Sequence, residues 1–391
     1  MTLYLNDIGV IGPLGTGKGE VLKNLLAGDT AGIERYDGLL TGRTTMVGRT
    51  RGELPPVPAG LVELDCRNNR LLARALHEIR STVDVLRAEL GPARIAVVLG
   101  TSTSGIAAGE DAAVALAREG RMPKDYHYRQ QELGTAAEFA ARYLELEGLR
   151  YTISTACSSS AKAFASAARL FAAGYCDAAI VGGVDSLCLL TLNGFDALES
   201  LSPERCNPFS ANRRGINIGE GACVFVVSRR PSAIRLCGVG ESSDGYHISA
   251  PDPSGRGAEI AIRAALADAG AHARDVGYVN LHGTATPKND EMESEVMARV
   301  FGLDVPCSST KSLIGHTLGA AGAQELGLCW LLLGDANAAR RLPAHGWDGV
   351  RDPRLQPIDL VGADARFERD LFVSNSFAFG GSNAAIVIGR A

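Results

Sequence analysis

Three side chains in this 391-residue chain stand where covalent chemistry could be done. Cys157 ends the stretch Ile153-Ser-Thr-Ala-Cys157 and leads into three serines, a strand-to-helix junction. A thiol there faces the free N–H groups and the positive dipole end of the helix. Both favour the thiolate and can lower a thiol pKa from its free value of about 8.5. The same N–H groups suit a developing oxyanion. His282 follows an apolar run in Val279-Asn-Leu-His282-Gly-Thr-Ala-Thr286-Pro-Lys-Asn-Asp290, so it lies at a strand end, where sites in open α/β sheets gather. His316 starts another small-residue helix, in Lys311-Ser-Leu-Ile-Gly-His316-Thr-Leu-Gly. Each residue alone reads more simply as a buried cysteine or a satisfied histidine. Two histidines beside glycines at element ends, with a cysteine at another element end, point instead to nucleophilic catalysis. The other five histidines have no such setting.

Two further segments bear on that chemistry. Lys311 has Glu325 as the nearest carboxylate in its segment, and a buried pair there would tune protonation nearby. In Ser374-Asn-Ser-Phe377-Ala-Phe379-Gly-Gly-Ser-Asn383, consecutive glycines allow close backbone approach and two phenylalanines could gate an apolar pocket. A tight turn between the last two strands explains the same glycines. By contrast, Gly12-Pro-Leu-Gly-Thr-Gly17-Lys18-Gly19 spells most of a phosphate loop but puts glycine where Ser or Thr must hold magnesium. A glycine-rich turn before a short helix accounts for it.

These residues need elements to position them. Short apolar runs at 95–100, 177–183, 222–227, 276–281, 371–374 and 384–388 read as strands covered on both faces. Helical patterns at 158–173, 258–269 and 319–333 alternate with them, which predicts an α/β protein. The helix after Cys157 is nearly all small residues and reads as central and buried. The softest boundary is Arg229-Arg-Pro231, which divides the chain into 1–230 and 231–391. Cys157-Ser-Ser-Ser and Cys307-Ser-Ser-Thr form a weak internal echo that favours two related halves.

Composition narrows the classes. Hydrophobic residues at 46% and charged residues at 21% exclude a disordered chain. A net charge of −5 argues against nucleic acid as main partner. No run approaches the ~18 apolar residues of a membrane span. The start lacks signal-peptide character, and nine cysteines without CxxC suggest reduced thiols, a cytoplasmic location and no structural metal.

The motifs TACSSS, NRRGINIGEGA (212–222), HGTATPKND (282–290), TKSLIGHTLGAAGAQE (310–325) and SNSFAFGGSN (374–383) occur in order. Through them the chain resembles β-ketoacyl-acyl-carrier-protein synthases of the I/II type, end to end. The resemblance implies a thiolase-like layered αβαβα fold of two related halves. It implies decarboxylating condensation of an acyl thioester with malonyl-acyl-carrier-protein, through an acyl group on Cys157. By the family pattern, the N–H groups of Cys157 and Phe379 form the oxyanion hole, and His282 and His316 stabilise the enolate. Lys311 and Glu325 support them, Thr284 and Thr286 bind the pantetheine arm, and Phe379, with Phe377 nearby, gates the acyl pocket. The partner is an acyl carrier protein that brings its own phosphopantetheine, so no metal or diffusible cofactor is implied. A homodimer is usual; a heterodimer with a related subunit is the alternative. Arg67, Arg70, Arg74, Lys124, Arg129, Arg213 and Arg214 are candidates for a carrier-binding patch. Departures are Ala378 and Ser382, where the family often has glycine and threonine. A non-catalytic chain-length subunit is disfavoured by retention of Cys157, His282 and His316. A thiolase is disfavoured by Ser376 and Phe377, where a second catalytic cysteine would be expected.

Overall fold

Successive side chains of these apolar runs enter opposite cores, which is what makes them strands. In Ile95–Gly100, Val97 and Leu99 join one core cluster while Ala96 and Val98 join another, so both faces are covered. The computed structural model describes residues 2–391. Its main strands are β1 (Leu3–Gly12), β2 (Ile95–Gly100), β3 (Arg150–Ile153), β4 (Ala178–Asp185) and β5 (Gly221–Ser228). They are followed by β6 (Ile234–Ser243), β7 (Tyr278–Asn280), β8 (Cys307–Ser308), β9 (Leu371–Ala378) and β10 (Ser382–Arg390).

These strands lie in one path, β8-β7-β9-β10-β6-β1-β5-β4-β2-β3. Counted within each set of five, the order is third, second, fourth, fifth, first on both sides. The pairing repeats as well. β2 is parallel to β3 and β4, and β7 is parallel to β8 and β9. β4–β5, β5–β1, β9–β10 and β10–β6 are antiparallel. The two sets meet at the antiparallel pair of β1 with β6, Leu3 opposite Leu236.

Six of the helices form most of the layers: α1 (Arg67–Leu90), α2 (Thr135–Tyr143), α3 (Ser159–Ala172), α4 (Arg256–Asp268), α5 (Pro287–Phe301) and α6 (Ala321–Leu333). Leu72, Leu76 and Phe139 of α1 and α2 cover the outer face of the first strands, against Val97, Ile180 and Val224. Ile262 and Val296 of α4 and α5 cover the outer face of the second, against Val279, Val373 and Val387. Between them lie α3 and α6, whose Phe164, Phe171, Leu326 and Leu332 share a core with Val98, Val181, Phe225, Phe372 and Ile386. The result is a layered αβαβα, thiolase-like fold. The small residues of α3 have the expected consequence. A Cβ at Gly322 of α6 would come within 2.8 Å of the Ala161 nitrogen on α3, so only glycine permits this spacing.

Some boundaries differ from the sequence expectation. The helix expected from 319 starts at Ala321, after a 3-10 turn over Leu318–Ala320 in which Leu318 takes φ +50°. The strand expected over 276–281 is only Tyr278–Asn280. The strand from 371 does not stop at Ser374 but runs to Ala378, so the glycine-rich segment is a three-residue hairpin turn, Phe379–Gly381. The 24-residue helix α1 was missed, although Leu72, Leu76, Ile79, Val83 and Leu86 recur at helical spacing.

Candidate active site

The cysteine is set by its junction. Ala156, just before it, takes the left-handed φ of +50°, a sharp turn between β3 and α3. The serines brace that turn. Ser158 Oγ donates to the Thr155 carbonyl at 2.9 Å, Ser159 Oγ to the Ala156 carbonyl at 2.6 Å, and the Thr155 N–H to Ser159 Oγ at 2.8 Å.

The imidazoles arrive from the other set of strands. His282 lies just beyond β7, on a loop that α5 holds from behind. The Glu293 carboxylate accepts the N–H groups of His282 and Gly283 at 2.8 and 2.7 Å, and Asp290 accepts that of Ala285 at 3.2 Å. His316 is fixed through its backbone. Its N–H donates to the Asn217 carbonyl at 2.6 Å, and its carbonyl accepts the Gly219 N–H at 2.9 Å. Asn217 is itself pinned, its side chain accepting the Cys206 N–H at 2.5 Å. The motif at 212–222 therefore acts by positioning His316. Asp290, Glu293 and Asn217 were not singled out as site residues from sequence; acidic spacing of eight and eleven residues after His282 was the available signal.

The three groups converge. His316 Nε2 lies 2.9 Å from Cys157 Sγ, and the two imidazole rings meet edge to face at 5.3 Å. One donor atom from each of the three lies within 4.8 Å of the others. Phe377 packs on His282 at 5.9 Å. Lys311 Nζ and Glu325 Oε1 form a fully buried pair at 2.5 Å.

Electrostatics correct one expectation. The Cys157 thiol is not lowered but pushed up to about 12, because burial outweighs the pull of Lys311 and of the Phe379 and Cys157 N–H groups. The helix proper begins at Ser159, and its dipole does not overcome the loss of water. Both histidines are held well below their usual range by burial and by the Lys311 charge. The resting site is therefore a neutral thiol facing neutral imidazoles. One thiol and two imidazoles are donors a divalent cation could use. The Lys311 ammonium repels such an ion, though Glu325 offsets much of that charge.

A cleft of about 280 Å3 leads to the sulfur. Thr284 and Thr286 line it, their hydroxyls 2.9 Å apart, and Phe195, Leu198 and Ile216 give it an apolar wall. Phe379 packs against Phe195, the rings tilted by 38° with centres 5.5 Å apart. Its turn is tied to the segment after β6, with the Gly380 N–H donating to the Ile248 carbonyl and the Asp244 N–H to the Gly381 carbonyl, each at 2.8 Å. Phe195 and Leu198 were not recognised from sequence as part of the pocket.

The proposed basic patch fares less well. Arg213 is a correction: its side chain is 1% exposed and bound to Asp352 at 2.6 Å. Arg67 clamps the buried Glu220, Arg70 pairs with Asp65, Arg74 with Glu78 and Arg129 with Glu138. Those four are partly exposed but neutralised by neighbours. Lys124 and Arg214 are exposed and, among the described residues, form no ion pair.

Comparison with known proteins decides the family. Residues 67–233 match the beta-ketoacyl synthase N-terminal domain and residues 234–344 its C-terminal domain. A 3-oxoacyl-[acyl-carrier-protein] synthase 2 from Coxiella burnetii is 30% identical over 99% of this chain and 98% of its own. The chain belongs to the β-ketoacyl synthase family. It is thus an acyltransferase of the condensing type. Nodulation protein E of Rhizobium meliloti strain 1021 is 34% identical over 83% of each chain. Among solved structures, the ketosynthase ApeO, in complex with its chain length factor ApeC from Xenorhabdus doucetiae, is 47% identical, with a TM-score of 0.96 over 100% of this chain and 98% of that one.

Proposed function

We propose that this β-ketoacyl synthase loads an acyl chain on Cys157 from an acyl carrier protein and extends it with malonyl-carrier. The observation that carries the reading is the 2.9 Å contact between Cys157 Sγ and His316 Nε2, with His282 beside it. In loading, Sγ attacks the thioester carbon and its proton passes to Nε2. The oxyanion sits on the N–H groups of Cys157 and Phe379. Collapse expels the arm thiolate, which takes the proton. In condensation, the bond from malonyl carbon to carboxylate breaks, carbon dioxide leaves, and the electron pair forms an enolate. Its carbon attacks the acyl carbonyl, the Cys157 thiolate leaves, and a proton taken up from water, the one the overall condensation consumes, restores the thiol.

Loading needs Nε2 of His316 as acceptor; enolate stabilisation needs an N–H donor there. Nδ1 of both histidines is buried and, among the described residues, has no protein partner, so no such contact fixes either tautomer. Neutral imidazoles also suit the decarboxylation. A standing imidazolium would stabilise the malonyl carboxylate, the ground state, rather than its loss.

The pantetheine arm belongs to the carrier and enters past Thr284 and Thr286, so the enzyme itself needs no cofactor or metal. By analogy with the complex of ApeO, the chain pairs with a related subunit, a homodimer being the other outcome of a mass measurement. Residues 1–230 and 231–391 are its two halves, and the cytoplasm is its place. His282→Ala tests the roles directly. Malonyl decarboxylation should fall about 10²-fold or more, as for loss of one oxyanion donor, while acyl loading falls less. Normal decarboxylation by His282→Ala and by His316→Ala would overturn the assignment.

A further inference from the structure

We infer that Lys288 anchors the phosphate of the carrier's arm at the mouth of the cleft, an inference that rests on the function proposed above. The lining of the cleft runs outward along one segment. Thr284 is buried, Thr286 half-buried, and Pro287 and Lys288 are exposed, yet all four line the same cavity as Cys157. An arm threaded past the two threonines with its sulfur at Cys157 carries its phosphodiester outward along this wall.

Four features make the mouth suited to an anion. Lys288 is exposed and, among the described residues, has no ion pair. It occupies the first turn of α5, after Pro287, where helix N–H groups lack intrahelical partners and favour negative charge. A second free cation stands close by in the fold: the N–H of Gly215, next to Arg214, donates to the Ala285 carbonyl at 3.0 Å. The neighbouring carboxylates are occupied. Asp244 accepts from Asn383 Nδ2 at 2.7 Å, Glu291 is held by Arg213 and Arg354, and Asp290 by backbone N–H groups. Lys288 itself reacts with nothing; it is a binding residue that sets the depth of the arm.

The test compares acyl-phosphopantetheine with acyl-pantetheine, which lacks the phosphate, as donors for loading Cys157. In the wild-type enzyme the phosphorylated donor should have the lower KM. Lys288→Ala should raise its KM about tenfold relative to that of acyl-pantetheine, as expected for one charge-assisted contact, with kcat little changed. Lys288→Arg should keep the discrimination, and salt should erode it in the wild type. An unchanged KM ratio in Lys288→Ala overturns the inference while leaving the condensing function intact. Calorimetry of phosphopantetheine against pantetheine separates the two ideas further, because it needs no turnover. Weaker phosphopantetheine binding by Lys288→Ala supports the anchor even if loading fails; equal binding overturns it.

Discussion

At the scale of single residues, the account turns on a protonated nucleophile. A thiol titrating at about 12 gains thiolate across the whole working range. Alkylation of Cys157 by iodoacetamide should therefore rise about tenfold per pH unit between about pH 7 and pH 9. A plateau from neutral pH would mean a standing thiolate. The buried Lys311–Glu325 pair gives a second prediction. Glu325→Ala strands an ammonium in the core and should cost about 3–5 kcal/mol in denaturant unfolding, whereas replacing both partners by apolar residues should cost less. A double variant worse than either single would contradict this. Cys157, His282 and His316 were legible because each stands near an element end, the histidines beside Gly283 and Gly315 and the cysteine before a run of serines. The protonation state was not, because it depends on how much water the whole fold excludes from the sulfur.

At the scale of elements, the His282 loop is held by acids on a neighbouring helix. Glu293 titrates at about 7 instead of 4.5, because burial outweighs its two backbone donors. Its folded state binds a proton more tightly than its unfolded state. The corresponding stability is complete below pH 4.5 and is lost as the pH rises through 7. Glu293→Gln should flatten the fall of Tm across that interval; an unaltered slope would contradict the assignment. Strand and helix alternation was readable from apolar runs, and α3 was correctly expected to be central from its small residues. The strand expected over 371–374 runs on to Ala378 because Asn375 and Ser376 are polar yet buried in β9, where packing overrides the pattern. Arg67 and Arg213 looked like surface charge, but their partners, Glu220 and Asp352, lie more than a hundred residues away.

At the scale of the whole molecule, the repeated strand order explains why the site exists. The cysteine follows β3 and the histidines follow β7 and β8, so neither set of strands holds the triad alone. The echo around Cys157 and Cys307 falls at the third strand of each set, Cys157 just beyond β3 and Cys307 within β8. Joining them depends on the close approach of α3 and α6. Gly322→Leu should push these helices apart at a cost of about 1–3 kcal/mol or more. It should cut condensation well beyond the loss of folded protein; full specific activity in the folded fraction would show that the spacing does not set the site.

The central claim is that one sulfur carries the acyl group between the two half-reactions. Peptide mass spectrometry after incubation with acyl-carrier tests it most directly. The expected result is acyl mass on the Cys157 peptide alone, discharged on adding malonyl-carrier and absent from Cys157→Ala. Acyl mass on another cysteine, or condensation by Cys157→Ala, would contradict it.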